Sequence, residues 1–290
     1  MKLPRSRTAR RLAGLAICVL VPCSIHMAAA DKEAKATPAM KVPEDLVGDE
    51  HVREEFGINE FTTPSIRKIF DQLDALGTLS YDNLKRPLPD KAPGDRVLLS
   101  LALGSLIADG FLVVHCEKIE EMENEGRALL KHAKALGAGV RINKHSQSLL
   151  ENSVKGDWKK LRNELAATQA DVEAEMVLLR DSDVAHLISL GGWLRAFEIS
   201  TAAVSQNYTA DKSRQLGRLD IIEYYIANLE DLHPEIKKLP VIQDLFEGLG
   251  AMRPNLDVPP GKAFTEDEVK DLRDKAKLLS EVVRQNLPGK

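Results

Sequence analysis

The chain has 290 residues, with 40 Lys+Arg against 44 Asp+Glu, a formal net charge of −4 and only 4% aromatic residues. A chain of this length can bury a substantial core as one large or two small domains, and its acidic balance argues against nucleic acid or an anionic membrane as a general partner. Scarce aromatics beside abundant Leu, Ala, Glu and Lys favour helix over sheet, and no run of alternating apolar residues is long enough to read as a strand.

At the start of the chain Lys2, Arg5, Arg7, Arg10 and Arg11 precede an apolar stretch over residues 12–21, which Pro22 ends. Ala28, Ala29 and Ala30 then place small side chains before Asp31. This order predicts a signal peptide cleaved after Ala30, and hence an exported protein, periplasmic or secreted. Ten apolar residues are too few for a stable membrane anchor. Arg10-Arg11 suggests a twin-arginine route, but Leu12-Ala13-Gly14 lacks the bulky Phe-Leu pair expected after it. Ile17 before Cys18 and Pro22 before Cys23 argue against lipidation. Cleavage would leave 35 basic and 44 acidic residues, a formal charge of −9, and Cys116 alone of three cysteines. No intramolecular disulfide could then form.

Residues 31–61 are rich in Lys, Glu, Ala and Pro with little apolar periodicity, and read as a flexible leader before a helical domain over 62–287. The first clear helix opens at Thr63, with Pro64 at the favoured first position. Ile66, Ile69, Phe70, Leu73 and Leu76 share one face before Gly77 stops it. Residues 87–94 read as a loop. From Asp95, a predicted N-cap, helical signals run almost unbroken to Gly137, which would span about 60 Å if straight, so kinks are expected. Residues 97–114 are apolar nearly all round and predict a central core helix. The remainder carries a heptad-like stripe of Ile119, Met122, Gly126, Leu129, Ala133 and Leu136 and predicts a partly exposed continuation.

Further on, Asn143 is a predicted cap for a segment reaching Asn152, and helices are expected over 158–179, 185–208, 212–232 and 234–248, with a linker over 254–261. The last helix has the strongest signals. Thr265 and Glu268 form a capping box, Phe264 and Val269 supply a hydrophobic staple, and Val269, Leu272, Ala276, Leu279 and Val283 make a coiled-coil-like seam. The expected architecture is an all-α helical bundle of long, antiparallel, kinked helices.

Motifs for known chemistry are sparse. Glu230 and His233 make a single Glu-x-x-His pair where a di-metal bundle needs two, and Pro234 puts the pair at a helix end, where capping is the expected role. Asp183 and His186 have similar spacing without further support. The chain lacks Cys-x-x-Cys-His, and Cys116 alone cannot build a thiolate zinc site, so neither covalent haem nor any other cofactor or metal is expected. There is no Gly-x-Ser-x-Gly and no glycine-rich phosphate loop. His115 and Cys116 are adjacent and cannot face each other on a helix. Asn207-Tyr208-Thr209 matches a glycosylation sequon of the kind that arises by chance.

One constellation stands out. Gly104 lies in an apolar helix that also carries Asp109, and Gly191-Gly192-Trp193 lies in another that carries Arg195 and Glu198. Glycine inside a helix costs about 0.8 to 1.0 kcal/mol relative to alanine, so a compensating close approach of Gly104 to Gly191 and Gly192 is expected. Asp109, Arg195 and Glu198 would then lie in apolar surroundings and need partners, Asp109 with Arg195 foremost. Such a cluster could be an ion pair that fixes the register of two helices, a polar cleft for a small ligand lined by Asp109, Arg195, Glu198 and Trp193, or a general acid–base site.

At these residues the chain resembles an uncharacterised family of exported bacterial α-helical proteins. There, a helix with a small-residue stretch and an Ala-Asp motif precedes a helix with a Gly-Gly-aromatic motif and an acidic residue. The matching residues are Gly104, Ala108 and Asp109, then Gly191, Gly192, Trp193 and Glu198. The likeness covers residues 95–204 and implies a helical fold and export, with no known activity. The expected function is binding or a structural partnership, with a protein partner or a second copy of the chain as candidates. The rival is an exported enzyme or small-ligand binder whose polar site lies around Asp109 and Glu198. A membrane-spanning role for residues 97–114 is disfavoured by Asp109, which would cost about 2.5 to 3.5 kcal/mol near a bilayer centre.

Overall fold

The structure, a computed structural model, describes residues 49–56, 58–137, 148–149, 151–152 and 154–287. The expected signal peptide, residues 31–48 of the expected leader and the Asn143 cap lie outside the described residues. Asp49 opens α1 (Glu50–Glu55) by accepting the Val52 amide at 3.1 Å. Ile58 is buried against Met176, Val177 and Ala185, and Phe61 stacks on Tyr224. The end of the expected leader is therefore docked on the bundle, because its few apolar residues each find a partner.

Helix α2 (Ile66–Leu76) is capped by Ser65, whose Oγ accepts the Lys68 amide at 3.2 Å, and Gly77 ends it at φ 82°. The cap falls at Ser65 rather than Thr63 because Thr63 is held in a turn, its amide and hydroxyl both donating to the Asn59 carbonyl at 2.9 and 3.1 Å. After α3 (Tyr81–Leu84), Asp95 caps α4 (Arg96–His115) by accepting the Leu98 amide at 2.9 Å.

The helical signal over residues 95–137 divides into two helices. Residues 116–118 reverse the chain, with Glu117 in the left-handed region at φ 55°. Helix α5 (Ile119–Leu136) returns alongside α4, so that Arg96 Nη1 reaches the Leu136 carbonyl at 3.3 Å. The left-handed conformation is normally left to Gly or Asn, so nothing in the composition of this segment marks the turn. The stripe also shifts: Gly126 is exposed, and Glu125 occupies the buried position between Met122 and Leu129.

Helices α6 (Trp158–Leu179) and α7 (Ser182–Gln206) follow, capped by Asp157 and Asp181. The helix expected over 212–232 is broken into α8 (Ala210–Arg214) and α9 (Leu219–Asp231). A further break gives α10 (Pro234–Lys237) and α11 (Pro240–Leu256), because Pro240 starts a new helix at the position where its missing amide is harmless. Pro254 lies inside the last turn of α11, which shortens the expected linker. In α12 (Glu266–Gln285) both halves of the capping box form, the Thr265 hydroxyl accepting the Glu268 amide at 3.3 Å and Glu268 accepting the Thr265 amide at 2.7 Å. Its seam of Val269, Leu272, Ala276, Leu279 and Val283 is fully buried.

Among the described residues these helices form an all-α bundle with no strand. Chain neighbours pair antiparallel: α4 with α5, and α11 with α12, where Asn255 meets Asp271 and Gly248 meets Leu279. The most extensive contact, α4 on α7, runs parallel. Arg96 meets Asp181 at their amino-terminal ends, and Asp109 meets Arg195 further along. Helix α12 lies antiparallel to α7, bringing Arg273 to Ser205. Among the described residues α4 alone is long and apolar enough to cross a membrane, and 78% of its apolar window is buried inside the protein.

Candidate functional site

The site begins with the close approach of α4 to α7. A Cβ on Gly104 would overlap the Ile188 carbonyl oxygen and lie 2.7 Å from the Gly192 nitrogen. A Cβ on Gly191 would overlap the Leu101 carbonyl, and one on Gly192 would lie 3.3 Å from the Gly104 carbonyl oxygen. The three glycines thus let two helix backbones touch, and the Ser105 hydroxyl donates to the Gly191 carbonyl at 3.2 Å across the same seam.

One helical turn beyond, three elements converge on charge. Asp109, on α4, accepts Arg195 Nε at 2.6 Å on Oδ1 and Arg86 Nε at 2.9 Å on Oδ2. Arg195, only 2% exposed, also donates Nη2 to the Leu84 carbonyl at the end of α3 and has Glu198 Oε2 2.9 Å from Nη1. Every nitrogen of that guanidinium is occupied, which a buried charge requires. Burial opposes its charge, but Asp109 and then Glu198 outweigh burial and raise Arg195 above its ordinary value. Arg86, just after α3, has its Nη1 3.9 Å from Glu198.

Glu125 completes the cluster from α5. It is 7% exposed, and its Oε2 has no hydrogen-bond partner within the protein. Burial, then the charge of Asp109, pushes its carboxyl up to about 8, with Arg86 and Arg195 opposing. At neutral pH it is mostly protonated. Burial and the carboxylates of Glu121, Glu125 and Asp109 likewise raise the phenol of Tyr81.

Beside this network opens a cleft of about 210 Å³, bounded by residues 86–90, the middle of α4 and the end of α12. Ala102, Leu106 and Val283 give it an apolar floor, and Arg86, Asp109, Ser280 and Arg284 also line it. Ser280 is 4% exposed, and its hydroxyl has no hydrogen-bond partner within the protein. The two guanidiniums are only partly engaged. Arg284 gives Nε and Nη2 to Glu281 at 2.6 and 2.7 Å, which leaves Nη1, and Arg86 commits Nε to Asp109.

Of the residues singled out in the sequence, Asp109, Arg195 and Glu198 meet in one network, and Asp109 alone of these lines the cleft. Trp193 does not join them. It projects from another side of α7, stacking on Phe197 and lying tilted against Tyr225, with ring centroids 5.2 Å apart in each case. Arg86, Glu125, Ser280 and Arg284 escaped the sequence reading. Glu125 left one trace, at spacings of three and four from Met122 and Leu129, and Ser280 another, at the same spacings from Val283 and Ala276. Arg86 left none, since it follows Lys85 in an ordinary polar turn.

Other pairs resolve into local structure. His233 caps α10, its Nδ1 accepting the Glu235 amide at 3.3 Å, while its own amide donates to Asp183. His186 packs edge-on against Tyr224, and burial lowers its pKa. His115 contacts Asp74 at 3.3 Å, and burial raises the Cys116 thiol, the reverse of an activated nucleophile. Among the described residues no group of three or more His, Cys, Asp or Glu is arranged to hold a metal ion.

No protein-family model matches the chain, and no curated protein or solved structure was found to be similar to it.

Proposed function

We propose that this chain is an exported helical-bundle protein that acts by binding, and that its site is the cleft between α4, α12 and residues 86–90. The observation that carries this reading is Ser280, a residue lining the cleft whose buried hydroxyl has no partner in the protein. An unmade hydrogen bond on a buried hydroxyl costs about 1–3 kcal/mol. On a helix such a group ordinarily bonds back to the preceding turn or points to solvent. A small apolar pocket with a few convergent polar groups is the usual form of a ligand site. Export rests on the order of charged, apolar and small residues over 1–30, and the resemblance to exported helical proteins on Gly104, Ala108, Asp109, Gly191, Gly192, Trp193 and Glu198.

The ion network serves this site as a frame. Arg195 joins α7, α4 and α3, and Asp109 in turn holds Arg86 at the cleft wall. An enzymatic role is less favoured, because the carboxylate that lines the cleft is already committed to two guanidiniums, whereas a general base needs an uncommitted oxygen within reach of substrate.

Ligand-observed NMR tests the binding reading, using a fragment library with anionic, neutral and cationic members on the chain from Asp31 onward. Fragments should bind the native protein and lose binding to Ser280→Leu, which fills the cleft, provided circular dichroism shows the variant folded. Equal binding to both proteins would place the site elsewhere.

A further inference from the structure

The geometry points to a compact monocarboxylate with a short aliphatic body as the ligand of the cleft, held by the free edges of Arg86 and Arg284 and by the Ser280 hydroxyl. This rests on the binding reading above and specifies its chemistry.

The polar groups select the head. Asp109 takes Nε of Arg86, so that guanidinium is fixed by one edge while its Nη2 remains uncommitted. Glu281 takes Nε and Nη2 of Arg284, leaving Nη1. Guanidinium N–H groups are donors only, so the remaining ones favour an anionic oxygen such as that of a carboxylate. Ser280 lines the same cleft, and its hydroxyl, shut off from solvent and without a partner in the protein, can add a third donor by turning toward the ligand.

Apart from Glu281, which competes for Arg284, the acidic groups nearby do not oppose such a head. Both oxygens of Asp109 are engaged by arginines, and Glu198 is in ion-pair contact with Arg195. Asp90 lies at the exposed rim, where solvent screens it. Glu125, which bears on Arg86 from α5, has its carboxyl pushed up to about 8 by burial, then by Asp109, and adds little negative charge at lower pH.

The floor selects the body. Ala102, Leu106 and Val283 are buried, and Leu88, Pro89 and Leu287 close the sides. Each methylene transferred onto such a surface gains about 0.8 kcal/mol, close to a fourfold gain in affinity. The small volume sets the limit, so affinity should rise with chain length and then stop.

Isothermal titration of the chain from Asp31 onward with sodium acetate, butyrate, hexanoate and octanoate tests this, beside hexylammonium chloride and sodium sulfate. Hexanoate should bind at least tenfold more tightly than acetate, and hexylammonium and sulfate should be weaker than hexanoate by a similar factor. Arg284→Gln should weaken hexanoate about tenfold and Ser280→Ala several-fold. Glu281→Gln should strengthen it, because it releases a competing carboxylate from Arg284. Gains of function of this kind do not arise from misfolding. Preference for hexylammonium, sulfate binding as tight as hexanoate, or weaker hexanoate binding to Glu281→Gln would overturn the assignment. If fragments that are not carboxylates bind the native protein and not Ser280→Leu, the ligand class fails while the cleft stands as a binding site. If carboxylates bind Ser280→Leu as well as the native protein, the cleft itself is excluded.

Discussion

Arg195 donates its Nε–H to Asp109 at 2.6 Å across the contact between α7 and α4, and neither side chain is more than 9% exposed. The pair joins two helices that touch backbone to backbone one turn away, at Gly104 and Gly191. Removing Asp109 alone would leave Nε of a buried guanidinium without its acceptor and without its principal counter-charge. Asp109→Ala should therefore destabilise by about 3–5 kcal/mol. Adding Arg195→Met should recover part of that loss. The recovery is incomplete because Arg86 also loses its acceptor and Glu198 loses its nearest cation. A double-mutant cycle by urea denaturation measures this, with coupling near zero as the contrary result.

The glycine contact gives a prediction of opposite sign at two positions. Gly191→Ala introduces a methyl that overlaps the Leu101 carbonyl and should destabilise by about 1–3 kcal/mol or more. Gly126, in α5, has nothing within 4 Å of a built Cβ. Gly126→Ala should stabilise by about 0.5–1 kcal/mol through helix propensity. Thermal unfolding of the two variants checks both signs, and a stabilising Gly191→Ala would show that the helices do not touch there.

Glu125 links stability to pH. Its carboxyl titrates at about 8 in the folded chain against an ordinary 4.5 when unfolded. Between those values the folded state holds a proton that the unfolded state has released, so stability falls as pH rises. The slope approaches about 1.4 kcal/mol per pH unit in that window and vanishes below and above it. Glu125→Gln should remove this component and stabilise the protein at pH 8. Urea midpoints from pH 5 to 9 test it, and parallel profiles for native and variant protein would contradict it.

Export makes a separate prediction. Material recovered from outside the cytoplasm should begin at Asp31 by amino-terminal sequencing, since Ala28 and Ala30 supply the small side chains that cleavage needs. An intact Met1 or a lipid on Cys18 or Cys23 would refute it.

Periodicity and capping made the helices readable, because Asp95 and Thr265 each leave a local pattern that tertiary contacts did not override. The reversal at Glu117 was hidden because its left-handed backbone is imposed by the hairpin rather than by a glycine. Helix direction was equally hidden. Short loops imply antiparallel neighbours, but α4 and α7 are not neighbours in the chain, and no spacing within either helix reveals that they pack in parallel. The pairing of charges on α4 and α7 could be argued from burial alone. The cleft could not, since its walls come from residues 86–90 and from α12, and no spacing within either segment reveals that they meet.

Amide chemical-shift mapping addresses the binding cleft most directly, with isotopically labelled protein from Asp31 onward titrated with the same fragment library. Binding in the cleft predicts saturable shifts concentrated at residues 86–90, 102–109 and 280–287, with residues around Trp193 and Tyr225 little changed. Shifts absent from those three segments, or centred on another face of the bundle, would contradict it.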